Sequence, residues 1–200
     1  MTTILKLDDA ISPDLCDACI KFYKETKTYD LSVNPTDGSL LPDNFVSAHG
    51  TYNDLFPIDL FQQIHEAFTK IIRAYIDLVP TYIPHATTGY QIRKVHGPTK
   101  LHWDNIFASN SPNIRNLSII TGLNSDFEEG LFNFPQQDYK TRLLRGQAIA
   151  FPVYYTHPHE VSSPVGYRYT INTWVTDGTC KASIVNPEEG RRIMDELNKK

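Results

Sequence analysis

The chain has 200 residues, 40% of them hydrophobic and 21% charged, with a net charge of −4, proportions that suit one folded domain with its own core. The acidic balance argues against a broad nucleic-acid-binding surface, because such binding rests on phosphate neutralisation. No run of 18 apolar residues is present to span a membrane, and MTTILKLDDAISPDL lacks the basic start and apolar stretch of a signal peptide, so a cytoplasmic protein with neither nucleic-acid nor membrane partners is expected.

In chain order, Ser12 followed by Pro13 marks a helix start, and Leu15, Ile20 and Phe22 carry a helix to about Thr26. Cys16 and Cys19 lie on it with no second pair to complete a metal site, so they read as small residues packed inward; Cys180 stands alone. Residues 32–57 are rich in Pro, Gly, Asn and Asp and predict a long loop of the lid or binding type. Asp59 and Gln62 then read as an N-cap and its reciprocal partner. Leu60, Phe61, Ile64, Phe68, Ile71, Ile72, Tyr75, Leu78 and Val79 recur at three- and four-residue spacing, the clearest helix in the chain, which Val79–Pro80 ends.

From Thr87 the texture changes to short β-rich runs, TGYQIRKV, KLHWDN, RNLSIITGL, GLFNF, KTRLL, QAIAF, HEVSS and GYRYTINTWV, separated by turn residues. Helices followed by many short strands predict an α+β, mainly β fold: an antiparallel sandwich or barrel core over about 87–176, with helical support over about 1–86 packed on one outer face. NPEEGRRIMDELNKK predicts a C-terminal helix over about 186–199. All of this reads as a single domain.

In LHWDN, strand alternation aims His102 and Asp104 at one point and sends Trp103 toward the opposite layer. About fifty-five residues on, THPHEVSS offers His157 and His159. Two imidazoles and one carboxylate on one metal, with three positions open, is the facial arrangement that suits Fe(II) and oxygen chemistry. A bidentate oxo-acid fills two of those positions and leaves one for O2. On the last strand Arg168, Thr170, Asn172 and Trp174 share one face, while Tyr169, Ile171 and Val175 share the other and suit packing under the long helix. A buried Arg needs an anion, and a dicarboxylate gripped bidentately by Arg168 supplies one; Thr170 adds a hydroxyl. His49, His65, His85 and His96 have no partner at ligand spacing and read as ordinary surface or loop histidines.

Together these residues resemble the prolyl 4-hydroxylase-like branch of the 2-oxoglutarate- and Fe(II)-dependent dioxygenases, over most of the chain and most densely over 88–176. The family's H-x-D matches His102–Trp103–Asp104, and its distal histidine is followed nine positions on by a basic residue, as His159 is by Arg168. That spacing favours His159 over His157. RNLSIITGLN followed by DFEEGLFNFP resembles the family's middle hairpin, and RGQAIAFP its turn into the strand before the distal histidine.

The resemblance implies a double-stranded β-helix, a jelly-roll or cupin-like barrel with N-terminal supporting helices. It implies metal ligands His102, Asp104 and His159 and the co-substrates 2-oxoglutarate and O2, with ascorbate as an accessory reductant. The implied reaction hydroxylates a substrate carbon and releases succinate and CO2. A Pro-containing peptide or protein is the substrate it favours. A free amino acid or other small molecule is the alternative, and a non-redox metal-binding cupin-like protein or a degenerate barrel used for interaction lies further off. The sequence departs from the family at Gly122, where many relatives carry a tyrosine for the co-substrate's far carboxylate, and at Val95 and Lys100, where aromatics are common. That carboxylate is therefore expected on Arg168 and Thr170, joined by Tyr90.

Overall fold

The structure is a computed structural model, and it describes residues 3–31, 48–104 and 114–177. The chain opens with strand β1 (Leu5–Leu7), helix α1 (Pro13–Glu25) and strands β2 (Tyr29–Asp30) and β3 (Ala48–Tyr52). Helix α2 (Ile58–Leu78) follows, then β4 (Ala86–Thr87), β5 (Gln91–Val95), β6 (Thr99–His102) and β7 (Arg115–Gly122). The second half is all strand: β8 (Glu128–Glu129), β9 (Phe132–Phe134), β10 (Tyr139–Thr141), β11 (Ala148–Pro152), β12 (His159–Val161), β13 (Pro164–Val165) and β14 (Arg168–Thr176).

The strands form two layers. The larger sheet runs in the order β1-β11-β7-β14-β5-β3-β2, with β4 also pairing β14; the smaller runs β10-β9-β12-β6. All their pairings are antiparallel. This is the mainly β, double-stranded β-helix architecture with helices on one outer face.

Alternation divides the larger sheet's side chains between two cores. Leu117, Ile119, Ile171 and Val175 point outward and meet Ile64, Phe68, Ile71 and Tyr75 of α2, with Leu15, Cys16 and Cys19 of α1 beside them. Each large apolar side chain so buried contributes about 1.5–3 kcal/mol. Ile120, Ile149 and Phe151 point between the sheets and pack on Phe132, Phe134 and Val161 of the smaller one. Both expected cysteines are fully buried in the first cluster.

Several local expectations are corrected. The α2 cap is not built from Asp59 and Gln62: the helix starts at Ile58 after Pro57, which makes no side-chain cap bond, and Asp59 sits inside the first turn. A proline at the entry fixes its own φ, so the helix can begin there without a side-chain acceptor. By contrast Ser12 does cap α1, accepting the Leu15 N–H at 3.2 Å. The expected 32–57 loop is shorter than the composition suggests, because Ala48–Tyr52 pairs with β5 as an inner strand and Asn53–Leu55 forms a 3-10 turn. Residues 32–47, with Phe45, lie outside the described residues, as do Cys180 and the expected tail helix. Trp103 faces no second layer but is 48% exposed beside Leu101, because β6 is the edge strand of the smaller sheet.

Candidate active site

The two sheets bring together what the chain separates by more than fifty residues. β12 pairs antiparallel with β6, and the register sets His159 directly opposite His102. Their rings lie 4.4 Å apart between centroids. Asp104, just past the end of β6, places Oδ1 3.1 Å from His102 Nε2 and Oδ2 4.0 Å from His159 Nε2. One ligand atom from each of the three lies within 4.8 Å of the others, and no other such cluster of three His, Cys, Asp or Glu occurs among the described residues.

Backbone carbonyls choose the tautomers. His102 Nδ1 lies 2.8 Å from the Lys100 carbonyl, and His159 Nδ1 lies 3.3 Å from the His157 carbonyl. A proton held at each Nδ1 leaves both Nε2 lone pairs facing Asp104, which is the arrangement a metal requires of histidine. His159 is clamped between Phe134 and Phe151, with centroid distances of 5.3 and 4.6 Å. Burial lowers the His159 pKa, keeping that imidazole neutral. Burial opposes the Asp104 charge too, but the adjoining His102 and His159 rings outweigh it and hold the carboxyl well below its usual range.

His157 is a different kind of residue. Its Nε2 lies 2.8 Å from Thr3 Oγ1 and its Nδ1 2.9 Å from Thr156 Oγ1. Both ring nitrogens are engaged away from Asp104, so the structure brings His159, and not His157, to the cluster. Of the other histidines, His65 lies against Tyr90 and His49 against His96.

Facing the cluster across a cavity open at its mouth is the even face of β14. Arg168 is 4% exposed, and its Nε and Nη1 are buried without a hydrogen-bond partner. No ion pair among the described residues involves it; its guanidinium lies 4.9 Å over the Phe132 ring. Burial, and then the charge of nearby Arg93, pulls its pKa down to about 10, so it stays cationic at neutral pH. An uncompensated buried charge costs roughly 3–5 kcal/mol, which argues that the site is shaped for an anion. Thr170 and Asn172 also line the cavity, but the Thr170 hydroxyl donates to Asn172 Oδ1 at 2.8 Å and would have to rotate to serve a carboxylate.

Tyr90 does not join this site. Its hydroxyl lies 2.7 Å from His65 Nδ1, and its ring packs on Phe61 and Phe68 on the helix side of the sheet. In β5 the residues of the other parity, Arg93 and Val95, line the cavity. Arg93, paired with Thr170 on β14, is the functional candidate that sequence reasoning missed. The signal was present in QIRKV, where Gln91, Arg93 and Val95 alternate onto one face. The glycine at 122 has a steric cause: a Cβ there would lie 2.3 Å from the Leu144 carbonyl oxygen, so no tyrosine fits.

A family model described as the 2OG-Fe(II) oxygenase superfamily matches residues 90–176. Residues 90–176 are thus similar to that superfamily. Its members use Fe(II), 2-oxoglutarate and O2, and the matched stretch contains both histidines, the aspartate and both cavity arginines. Solved structures agree in fold. The viral collagen prolyl hydroxylase of Paramecium bursaria Chlorella virus-1, in its 2OG complex, is 15% identical with a TM-score of 0.65, over 88% of this chain and 96% of its own. A Trichoplax adhaerens prolyl hydroxylase, in complex with a hypoxia-inducible-factor peptide fragment, gives 13%, 0.68, 88% and 84%. The Pseudomonas putida prolyl-4-hydroxylase gives 14%, 0.64, 88% and 93%. No curated protein sequence matches the chain.

The residues of the site fit the cofactors of that superfamily. A carboxylate and two imidazoles with free Nε2 atoms suit Fe(II), and a buried guanidinium lacking partners suits the far carboxylate of 2-oxoglutarate.

Proposed function

We propose that the protein hydroxylates prolyl residues of a peptide or protein, consuming O2 and 2-oxoglutarate and releasing succinate and CO2. The observation that carries the oxygenase chemistry is the His102–Asp104–His159 cluster facing an unpartnered Arg168 across one cavity. In this reading His102, Asp104 and His159 hold Fe(II), which with 2-oxoglutarate and O2 supplies the power to replace a carbon-bound hydrogen by hydroxyl.

The protein's own share is positioning. The Lys100 and His157 carbonyls fix the imidazoles, Phe134 and Phe151 keep His159 from turning, and Arg168 would hold the oxo-acid's far carboxylate. Apolar Ile120, Phe132 and Val161 line the walls and exclude water, which strengthens every charge interaction inside. The prolyl preference is supported by the likeness in fold to prolyl hydroxylases. Pro-containing peptides should stimulate succinate formation by the iron-loaded protein and gain one oxygen atom by mass spectrometry. Turnover of free L-proline with no gain in any Pro-containing peptide would leave the oxygenase standing and overturn the polypeptide substrate.

A further inference from the structure

The cavity carries more positive charge than the iron and oxo-acid chemistry uses. Arg168 accounts for one carboxylate of 2-oxoglutarate, and the other belongs with the metal. Arg93 is then left over. Asp104 is the only acid lining the cavity among the described residues, and a metal ion would claim it. Arg115 adds a third guanidinium nearby, its Nη1 donating to the Asp104 backbone carbonyl at 3.3 Å.

Arg93 lies near Arg168, opposite Thr170, but also reaches further along β14. Its Nε donates to Gln91 Oε1, and its guanidinium lies 5.3 Å from the centre of the Trp174 ring, which Arg115 approaches to 3.7 Å from the other neighbouring strand. Trp174 stands six residues along β14 from Arg168, about 20 Å of strand. The charges acting most strongly on Arg93 are those of Asp104 and Arg115. Arg93 thus lines the cavity together with Asp104, the carboxylate of the ligand cluster. There the Trp174 indole Nε1 is buried with no hydrogen-bond partner. Arg93 and Trp174 both line the cavity, and a carboxylate is the acceptor that suits a guanidinium and an unsatisfied indole N–H alike.

We propose that Arg93 and the Trp174 indole bind a carboxylate of the substrate itself, so that the oxidised residue is a free amino acid or the C-terminal residue of a peptide. This rests on the oxygenase reading above and narrows its substrate. Both sources present the same group, and the experiment separates them.

Iron-loaded protein with 2-oxoglutarate is given N-acetylglycyl-L-proline or its carboxamide, and L-proline or L-prolinamide, with succinate and the hydroxylated product measured. The acids should be hydroxylated, and the KM of each amide should be higher by roughly tenfold or more, as losing a charged hydrogen bond implies. The better acid identifies the source. R93Q should erase the acid-to-amide difference and raise the substrate KM far more than the 2-oxoglutarate KM, with R93K recovering part of the loss. The wild-type comparison decides the matter even if R93Q does not fold. Equal KM values for acid and amide would overturn the proposal. So would a 2-oxoglutarate KM that rises in R93Q as much as the substrate's, which would assign Arg93 to the co-substrate. Tryptophan-fluorescence titration of Mn(II)-loaded protein separates failure of this site from failure of the prolyl reading. Acid binding stronger than amide binding upholds the carboxylate site even if no proline derivative is hydroxylated, and absent or equal binding overturns it.

Discussion

Replacing His102, Asp104 or His159 by alanine abolishes 2-oxoglutarate turnover and weakens Fe(II) binding by about a hundredfold or more, measured by isothermal titration under nitrogen. The expected size follows from what each supplies: even residues that only orient a metal ligand change affinity about 10–100-fold, and these three would be the ligands themselves. His157→Ala is the informative contrast. It removes the contacts to Thr3 and Thr156, each worth about 1 kcal/mol, and so lowers thermal stability. It leaves in place the His157 backbone carbonyl that orients His159, so metal binding persists. Metal binding lost in His157→Ala and kept in His159→Ala would reverse the assignment of the distal ligand.

Arg168→Ala raises the 2-oxoglutarate requirement by about 30-fold or more while the protein still binds Fe(II), because truncating one partner of a buried charge pair costs about 2–5 kcal/mol. A second readout needs no turnover. In the wild-type protein 2-oxoglutarate should raise the melting temperature, because it binds only the folded state and supplies a counter-charge to the unpartnered guanidinium. Arg168→Ala should lose most of that rise, and Arg168→Lys should recover part of it without the bidentate grip. A co-substrate dependence unchanged in Arg168→Ala would remove the anchor on which the oxo-acid assignment rests.

Much of this site was legible in one dimension because strand alternation is a rigid rule. His102 and Asp104, and then Arg168, Thr170, Asn172 and Trp174, share faces simply by being two apart. The helices were legible for a similar reason, since the apolar stripe of α2 matches the face that packs on Ile171 and Val175. Tyr90 shows where the rule ends. Alternation says which residues of a strand share a face but not which face looks inward; that is decided by the partner strand, here by Arg93 lying opposite Thr170. β3 was hidden by composition. AHGTY contains Gly50, a poor strand former, which disguised a strand that pairs with both β5 and β2.

β14 has one more consequence. Its odd residues are glued to the helices and its even residues furnish the cavity, while β7 and β5 fix its register from both sides. A slip of a single position would drive Arg168 and Asn172 into an oily layer and leave Ile171 and Val175 lining the cavity. Such a molecule would lose its hydrophobic seal at the same stroke as its anion socket. Folding therefore acts as a proofreader for chemistry: a chain that has reached a stable state has already assembled the strand that receives its co-substrate, and miswound copies are left to unfold or be degraded rather than survive as faulty enzyme.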